Sequence, residues 1–267
     1  MARIAKRFGA VAAVVVAAGV LQVVAPTASF AAGAATCSGG SVAAGSYTSL
    51  TINGPCTVDA GNVSIAHDLT VAPGGELIAA FGGSDVHVGG NLTVGANGVL
   101  ILGCEPVAFA CVNDPDQNVG TLVTHDTIGR NLTTQGALAV IVHATTIGLN
   151  EVVQGGGGGV TCDSTIPNIP GPPAYIDFED TSVGGNAIIQ GVQSCWAGFI
   201  RNTVARNVIY QGNTFADPDA SELTTDTVGG NMICHGNSPQ VQFGDSTGSP
   251  DIVSGHAIGE CKNVVAS

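Results

Sequence analysis

The chain is short of positive charge: 267 residues hold only 7 Lys and Arg against 20 Asp and Glu. A net charge of −13 excludes a nucleic-acid binder held by phosphate contacts. Charged residues of all kinds make up 10%, against ~25% in an ordinary globular protein. Aromatics reach only 4%, with a single Trp. So little Lys and Glu argues against a helical bundle or coiled coil, and 45% apolar residues argue against a disordered polyelectrolyte. What the chain has in excess is glycine, 39 residues, alongside abundant Val, Thr and Asn. That mixture suits short strands joined by tight turns.

The N-terminus begins with a basic stretch, Arg3, Lys6 and Arg7, followed by an uncharged run from Phe8 to Ala25. Pro26 and a series of small residues lead to Ala31 and Ala34. This order describes a secretory signal peptide over 1–31, with cleavage expected after Ala31 or Ala34. An uncleaved membrane anchor is the competing reading, because the run approaches the ~18 residues a span needs. A lipidated cysteine is excluded, since Cys37 follows Ala34-Ala35-Thr36. No later stretch is long and apolar enough to span a bilayer, so no stable membrane insertion is expected after processing. Without the leader only Arg130, Arg201, Arg206 and Lys262 remain against the carboxylates, a net charge of −16. Such a chain should be repelled by anionic polymers and anionic membrane surfaces.

All eight cysteines follow the leader, and an even count in an exported chain reads as disulfides. Spacing alone leaves many connectivities open. Sequential pairing is the expectation: Cys37–Cys56, Cys104–Cys111, Cys162–Cys195 and Cys234–Cys261. Zinc ligation would need CxxC knuckles, and the sequence has none.

One short motif recurs: an aliphatic residue, a small residue, a variable one, then Asn, Asp or His, and then a strand-like apolar segment. Its fourth positions are Asp68, Asn91, Asn131, Asn150, Asn186, Asn207, Asn231 and His256, at steps of 23, 40, 19, 36, 21, 24 and 25. The two long steps stand for two coils each, or for one coil carrying an insertion. Thr or Asp often precedes the aliphatic residue, as in Asp126-Thr127, Asp180-Thr181-Ser182 and Asp226-Thr227.

A step near 20 to 25 with strand-like content predicts a β-solenoid whose coils stack with strands in parallel. Alternation predicts Val86, Val88, Leu92 and Val94 inward, with the Gly pair at a corner. Asn at the same place in successive coils predicts an amide ladder along the axis. A leucine-rich repeat would need several Leu per unit, and propeller blades need ~40 residues. Nine or ten coils at roughly 4.8 Å would make a rod about 45 Å long.

These segments also carry a resemblance. Thr227-Val228-Gly229-Gly230-Asn231-Met232-Ile233-Cys234-His235-Gly236-Asn237-Ser238-Pro239 resembles the final coil of a group of secreted bacterial right-handed parallel β-helix proteins. Gly255-His256-Ala257-Ile258-Gly259-Glu260-Cys261 is similar to their closing segment. Gly45-Ser46-Tyr47 through Pro55-Cys56-Thr57-Val58, with Gly61-Asn62-Val63-Ser64-Ile65, is similar to their entry coil. The resemblance covers most of the mature chain. It implies an all-β, right-handed parallel β-helix over 37–267 and little about activity, because the group is largely uncharacterised. At the level of architecture alone, the repeats also resemble bacterial polymer-forming β-helical scaffold proteins.

Three insertions are expected, near 104–120, 155–180 and 214–224, and loops that interrupt a solenoid are where function tends to sit. Each gathers carboxylates and reads as a solvated acidic loop, with weak Ca²⁺ binding as its one cofactor option. Asp114-x-Asp116-x-Asn118 begins like an EF-hand loop, but Val119 and His125 stand where Gly and Glu belong. Gly244-Asp245-Ser246-Thr247-Gly248 is similar to the serine-protease nucleophile motif, yet no helix pattern follows as a nucleophile elbow requires. The six His are scattered over the repeats and no catalytic set emerges. The expected function is therefore an exported, non-catalytic structural or interaction module. It would be secreted or cell-surface associated, engaging itself or a cell-envelope ligand. The alternative is a carbohydrate-active hydrolase or lyase, for which Asp residues near 177–180 or 217–226 would have to serve. Its scarcity of cations makes a polyuronate substrate a poor fit.

Overall fold

The computed structural model describes residues 33–80, 84–103, 125–169, 173–244 and 248–266. Three long sheets run along the molecule, and each turn of the chain adds one strand to each. Sheet I has ten strands, from Ala34–Cys37 to Ala257–Gly259; sheet II has eight, from Gly40–Ser41 to Glu222–Thr224; sheet III has nine, from Gly45–Tyr47 to Ile252–Val253. Neighbouring strands pair in parallel with residue-for-residue register, for example Leu69↔Leu92↔Leu132 in sheet I. The architecture is a parallel β-helix of nine coils, with Ala257–Gly259 opening a tenth.

Alternation along short strands explains the coil. In Leu92–Val94 the outer two residues are buried and Thr93 is exposed, and the same pattern recurs in Leu69–Val71. Val86, Val88, Leu92 and Val94 all lie in the core. Each such side chain contributes roughly 1.5–3 kcal/mol of burial, repeated coil after coil. Because the strands have only two to five residues, sheets alone cannot hold a coil; corner chemistry must.

Both long steps of the repeat are single coils that carry an insertion. One coil leaves Val99–Leu102 and returns at Asp126–Ile128; the other leaves Glu151–Gln154 and returns at Ile176–Glu179. The second insertion is therefore 155–175, shorter than the 155–180 expected from sequence. It opens with Gly155 to Gly159, all at φ between 61° and 94°. At Gly156 a Cβ would collide with the Ala137 carbonyl, so glycine is required there by space as well as by φ. The insertion then lays Ile166, Ile169, Ala174 and Tyr175 over Ile78, Ile101 and Ile141 on the outer surface of sheet II. Asn168 reaches Glu76, 92 residues earlier, with its Nδ2 donating to Oε2 at 2.8 Å. From Glu76–Ala79 onward sheet II is buried on both sides, and its strands Ile176–Glu179 and Ala197–Ile200 have no exposed residue.

Disulfides join Cys37 to Cys56, Cys162 to Cys195 and Cys234 to Cys261. The first ties the entry coil to its neighbour, and the last ties Met232–His235 to the closing 3-10 turn Glu260–Asn263. The middle one anchors the 155–175 insertion. Cys104, Cys111, the leader 1–31, Asp114, Asp116 and Ser246 lie outside the described residues.

Candidate functional site

Each coil turns three corners, and at two of them rows of side chains tie one coil to the next. At the corner from sheet III to sheet I, Asn91 donates from its backbone N–H and its Nδ2 to Asp68 Oδ1, at 2.7 and 3.1 Å. Asn131 donates in the same way to Asn91, Asn150 to Asn131, Asn186 to Asn150, and Asn207 to Asn186. Asn231 continues through its backbone N–H at 2.9 Å, and His256 closes the row with a backbone N–H only. Every amide dipole points the same way, and the row ends on a carboxylate that only accepts. Donation from the Asn91 backbone, followed by its side-chain amide and nearby His67 and Arg130, holds Asp68 below the usual carboxylate range.

The corner from sheet II to sheet III uses carboxyls instead. Val86 N–H donates to Asp126 Oδ1 at 2.6 Å, Asn202 N–H to Asp226 at 2.7 Å, and Asp226 N–H to Asp251 at 2.9 Å. Asp126, Asn202, Asp226 and Asp251 each stand two residues before the aliphatic position of the repeat. Their second oxygens, Oδ2 of Asp126, Asp226 and Asp251, are buried without a partner. Burial pushes Asp126 up to about 8 and Asp251 up to about 7, and burial plus the facing Asp251 pushes Asp226 well up.

In five coils the same corner turns through one left-handed residue: Gly103, Ala144, Asp180, Arg201 and Thr225, at φ between 48° and 78°. A side chain in that region costs about 1–2 kcal/mol. Two of these residues are an ion pair. Arg201 grips Asp180 with Nε and a terminal nitrogen, at 2.9 and 2.8 Å, and the same terminal nitrogen donates to Glu179 Oε2 at 2.6 Å. Next to them His143 Nε2 lies 3.1 Å from Asp177 Oδ2, with both side chains buried. One ligand atom each from His143, Asp177 and Glu179 falls within 4.8 Å of the others.

This corrects the sequence expectation for 177–180. Asp177 and Glu179 do not sit on a solvated loop; they point outward from a strand in which every residue is buried. His143, reckoned among the scattered histidines, joins them through the register His143↔Glu179. The cluster's enclosure leaves no room for a sugar ring between the two carboxylates, 4% and 7% exposed. Among the other acidic residues, Asp217 accepts the Asp219 N–H in a local turn at 3.0 Å.

The outer surface of sheet I is open and ordered. In register it presents Thr36, Thr51, Thr70, Thr93 and Thr133, then Val152, Ile188, Ile209, Ile233 and Ile258. Beside the aliphatic half runs a second column, Gln154, Gln190, Gln211 and His235, with Gln211 donating to Gln190 at 3.2 Å. Each is followed by a glycine at positive φ, and together they line a shallow groove of about 720 Å³. The Gln-Gly ending of the repeat is legible in sequence once the Asn positions are aligned. Among the described residues no helix is long and apolar enough to cross a membrane.

Comparison of the chain with family models, with curated proteins and with solved structures found no match.

Proposed function

We propose that the protein is exported by its N-terminal leader and acts outside the cytoplasm as a non-catalytic β-helical rod. Its partner would be a neutral, hydroxyl-rich polymer of the cell envelope, held along the outer surface of sheet I. The reading places it with the secreted bacterial parallel β-helix proteins that its first and last coils resemble.

The observation that carries the proposal is the groove along Gln154, Gln190, Gln211 and His235. Its side-chain amides repeat at the coil spacing, its floor is glycine, and Ile188, Ile209 and Ile233 flank it. Amides donate to and accept from hydroxyls, and no lining residue brings a carboxylate to repel or cleave a substrate. The three disulfides fit an oxidising compartment.

Co-sedimentation with insoluble envelope glycans, paired with detection of released sugars, tests the reading. Binding without product release is expected, weakened roughly tenfold in the Gln190→Ala/Gln211→Ala variant, about the effect of losing one or two hydrogen bonds. Binding that the variant leaves unchanged, absence of binding, or release of sugar products would each overturn it.

A further inference from the structure

The cluster of His143, Asp177 and Glu179 plays no part in that proposal. Beyond residue 7 the chain has only four Lys and Arg, and one of them, Arg201, serves this cluster. Asp177, Glu179 and Asp180 thus place three carboxylates against a single guanidinium. Taking anions out of water is costly unless each is compensated, so even with the proton that His143 and Asp177 share the cluster is short of positive charge by about one unit, and by about two once that proton leaves.

A second observation concerns one atom. Asp177 Oδ2 faces His143, but Oδ1 is buried and has no hydrogen-bond partner. It lies over Gly198, where a Cβ would come within 2.7 Å of it. A buried carboxylate oxygen left bare costs free energy, and a cation held at Oδ2 would lessen that cost by drawing charge from the same carboxylate.

We infer that His143, Asp177 and Glu179 bind one first-row divalent cation of the zinc or manganese class. An imidazole nitrogen with two carboxylate oxygens suits such ions, whereas Ca²⁺ takes oxygen ligands almost alone. The 3.1 Å between His143 Nε2 and Asp177 Oδ2 is the separation of two ligands that each lie roughly 2.1 Å from one ion. On loading, the proton shared by His143 and Asp177 leaves to solvent, and His143 Nε2 turns its lone pair to the metal. Arg201 stays on Asp180 and Glu179, and the charge of the ion balances the remaining deficit. The ion would link strand Ala139–His143 to strand Ile176–Glu179 of the coil that carries the 155–175 insertion.

The test uses the full oxidised protein, produced in medium with Zn²⁺ and Mn²⁺ and then washed with a weak chelator. Metal analysis should find about one ion per chain in the native protein and less than a tenth of that in Asp177→Asn. After stripping with a strong chelator, Zn²⁺ or Mn²⁺ should raise Tm by roughly 5–10 °C, and Ca²⁺ should not. Affinity should fall steeply as pH drops from 7 to 5, because a proton competes with the ion. His143→Gln serves as the second variant should Asp177→Asn fail to fold. Native protein that carries no stoichiometric ion and shows no Zn²⁺- or Mn²⁺-dependent Tm shift would overturn the inference. So would full metal content in a folded variant.

Discussion

Two corners of the coil perform one task with different chemistry. From sheet III to sheet I, asparagines stack from Asn91 to Asn231. From sheet II to sheet III, carboxyls of Asp126, Asp226 and Asp251 take the backbone N–H of a neighbouring coil. An amide both donates and accepts, so it can be stacked without limit and without charge. A carboxylate only accepts, and once buried it keeps a second oxygen that finds no donor. It resolves this by holding its proton, and it thereby makes the fold answer to pH.

The largest expected effect follows from that difference. Asp126, Asp226 and Asp251 are raised above their ordinary range, so between about pH 4 and pH 8 the folded chain binds protons that the unfolded chain has lost. Stability is then fully present below pH 4 and falls as pH rises through 7 to 8. Thermal melts from pH 4.5 to 9 should show Tm dropping by roughly 10 °C or more. The Asp226→Asn/Asp251→Asn variant should flatten the slope, since Asn202 already fills this column in its own coil. An equal slope in the variant would break the comparison.

Next in size is the amide corner. Asn186→Ala removes the acceptor of the Asn207 N–H and Nδ2 and the donor to Asn150, and should cost about 2–3 kcal/mol. Chemical denaturation should find that cost the same at pH 5 and pH 8; a loss that changes with pH would blur the two corners into one.

Glu151 sharpens the point inside the core. It occupies the inward position shared with Leu132 and Ala187, with neither oxygen hydrogen-bonded, and burial pushes it up to about 8. Glu151→Gln should leave Tm nearly unchanged at pH 4.5 and raise it by roughly 5 °C at pH 9, read by calorimetry. The smallest effect belongs to Asp68, exposed at the end of the amide row. Asp68→Asn should cost no more than about 0.5 kcal/mol at pH 7, because a neutral oxygen still accepts from Asn91.

The sequence makes the repeat legible because one side chain, the Asn, must return at every coil to meet its predecessor. Val86, Leu92 and Val94 follow from period-two alternation alone. Glu151 was equally open to view: the residue after each Asn is Leu, Leu, Glu, Ala, Val or Met from Asn91 to Asn231. The His143–Asp177–Glu179 cluster was not. His143 and Asp177 stand 34 residues apart, and they meet only after the 155–175 insertion is looped out and the strands register. The same insertion covers Ile78, Ile101 and Ile141 on the outer surface of sheet II with Ile166, Ile169 and Tyr175. An insertion reveals its position in a repeat far more readily than the surface it will cover.

The most direct measurement is a carbon-13 titration of the side-chain carboxyls of Asp126, Glu151, Asp226 and Asp251. The account predicts that Asp126, Glu151 and Asp251 are still protonated at pH 6, with Asp126 and Glu151 titrating near 8, and that Asp226 titrates well above the ordinary carboxylate range. Ionisation of all four by pH 5, with the protein still folded, would contradict it.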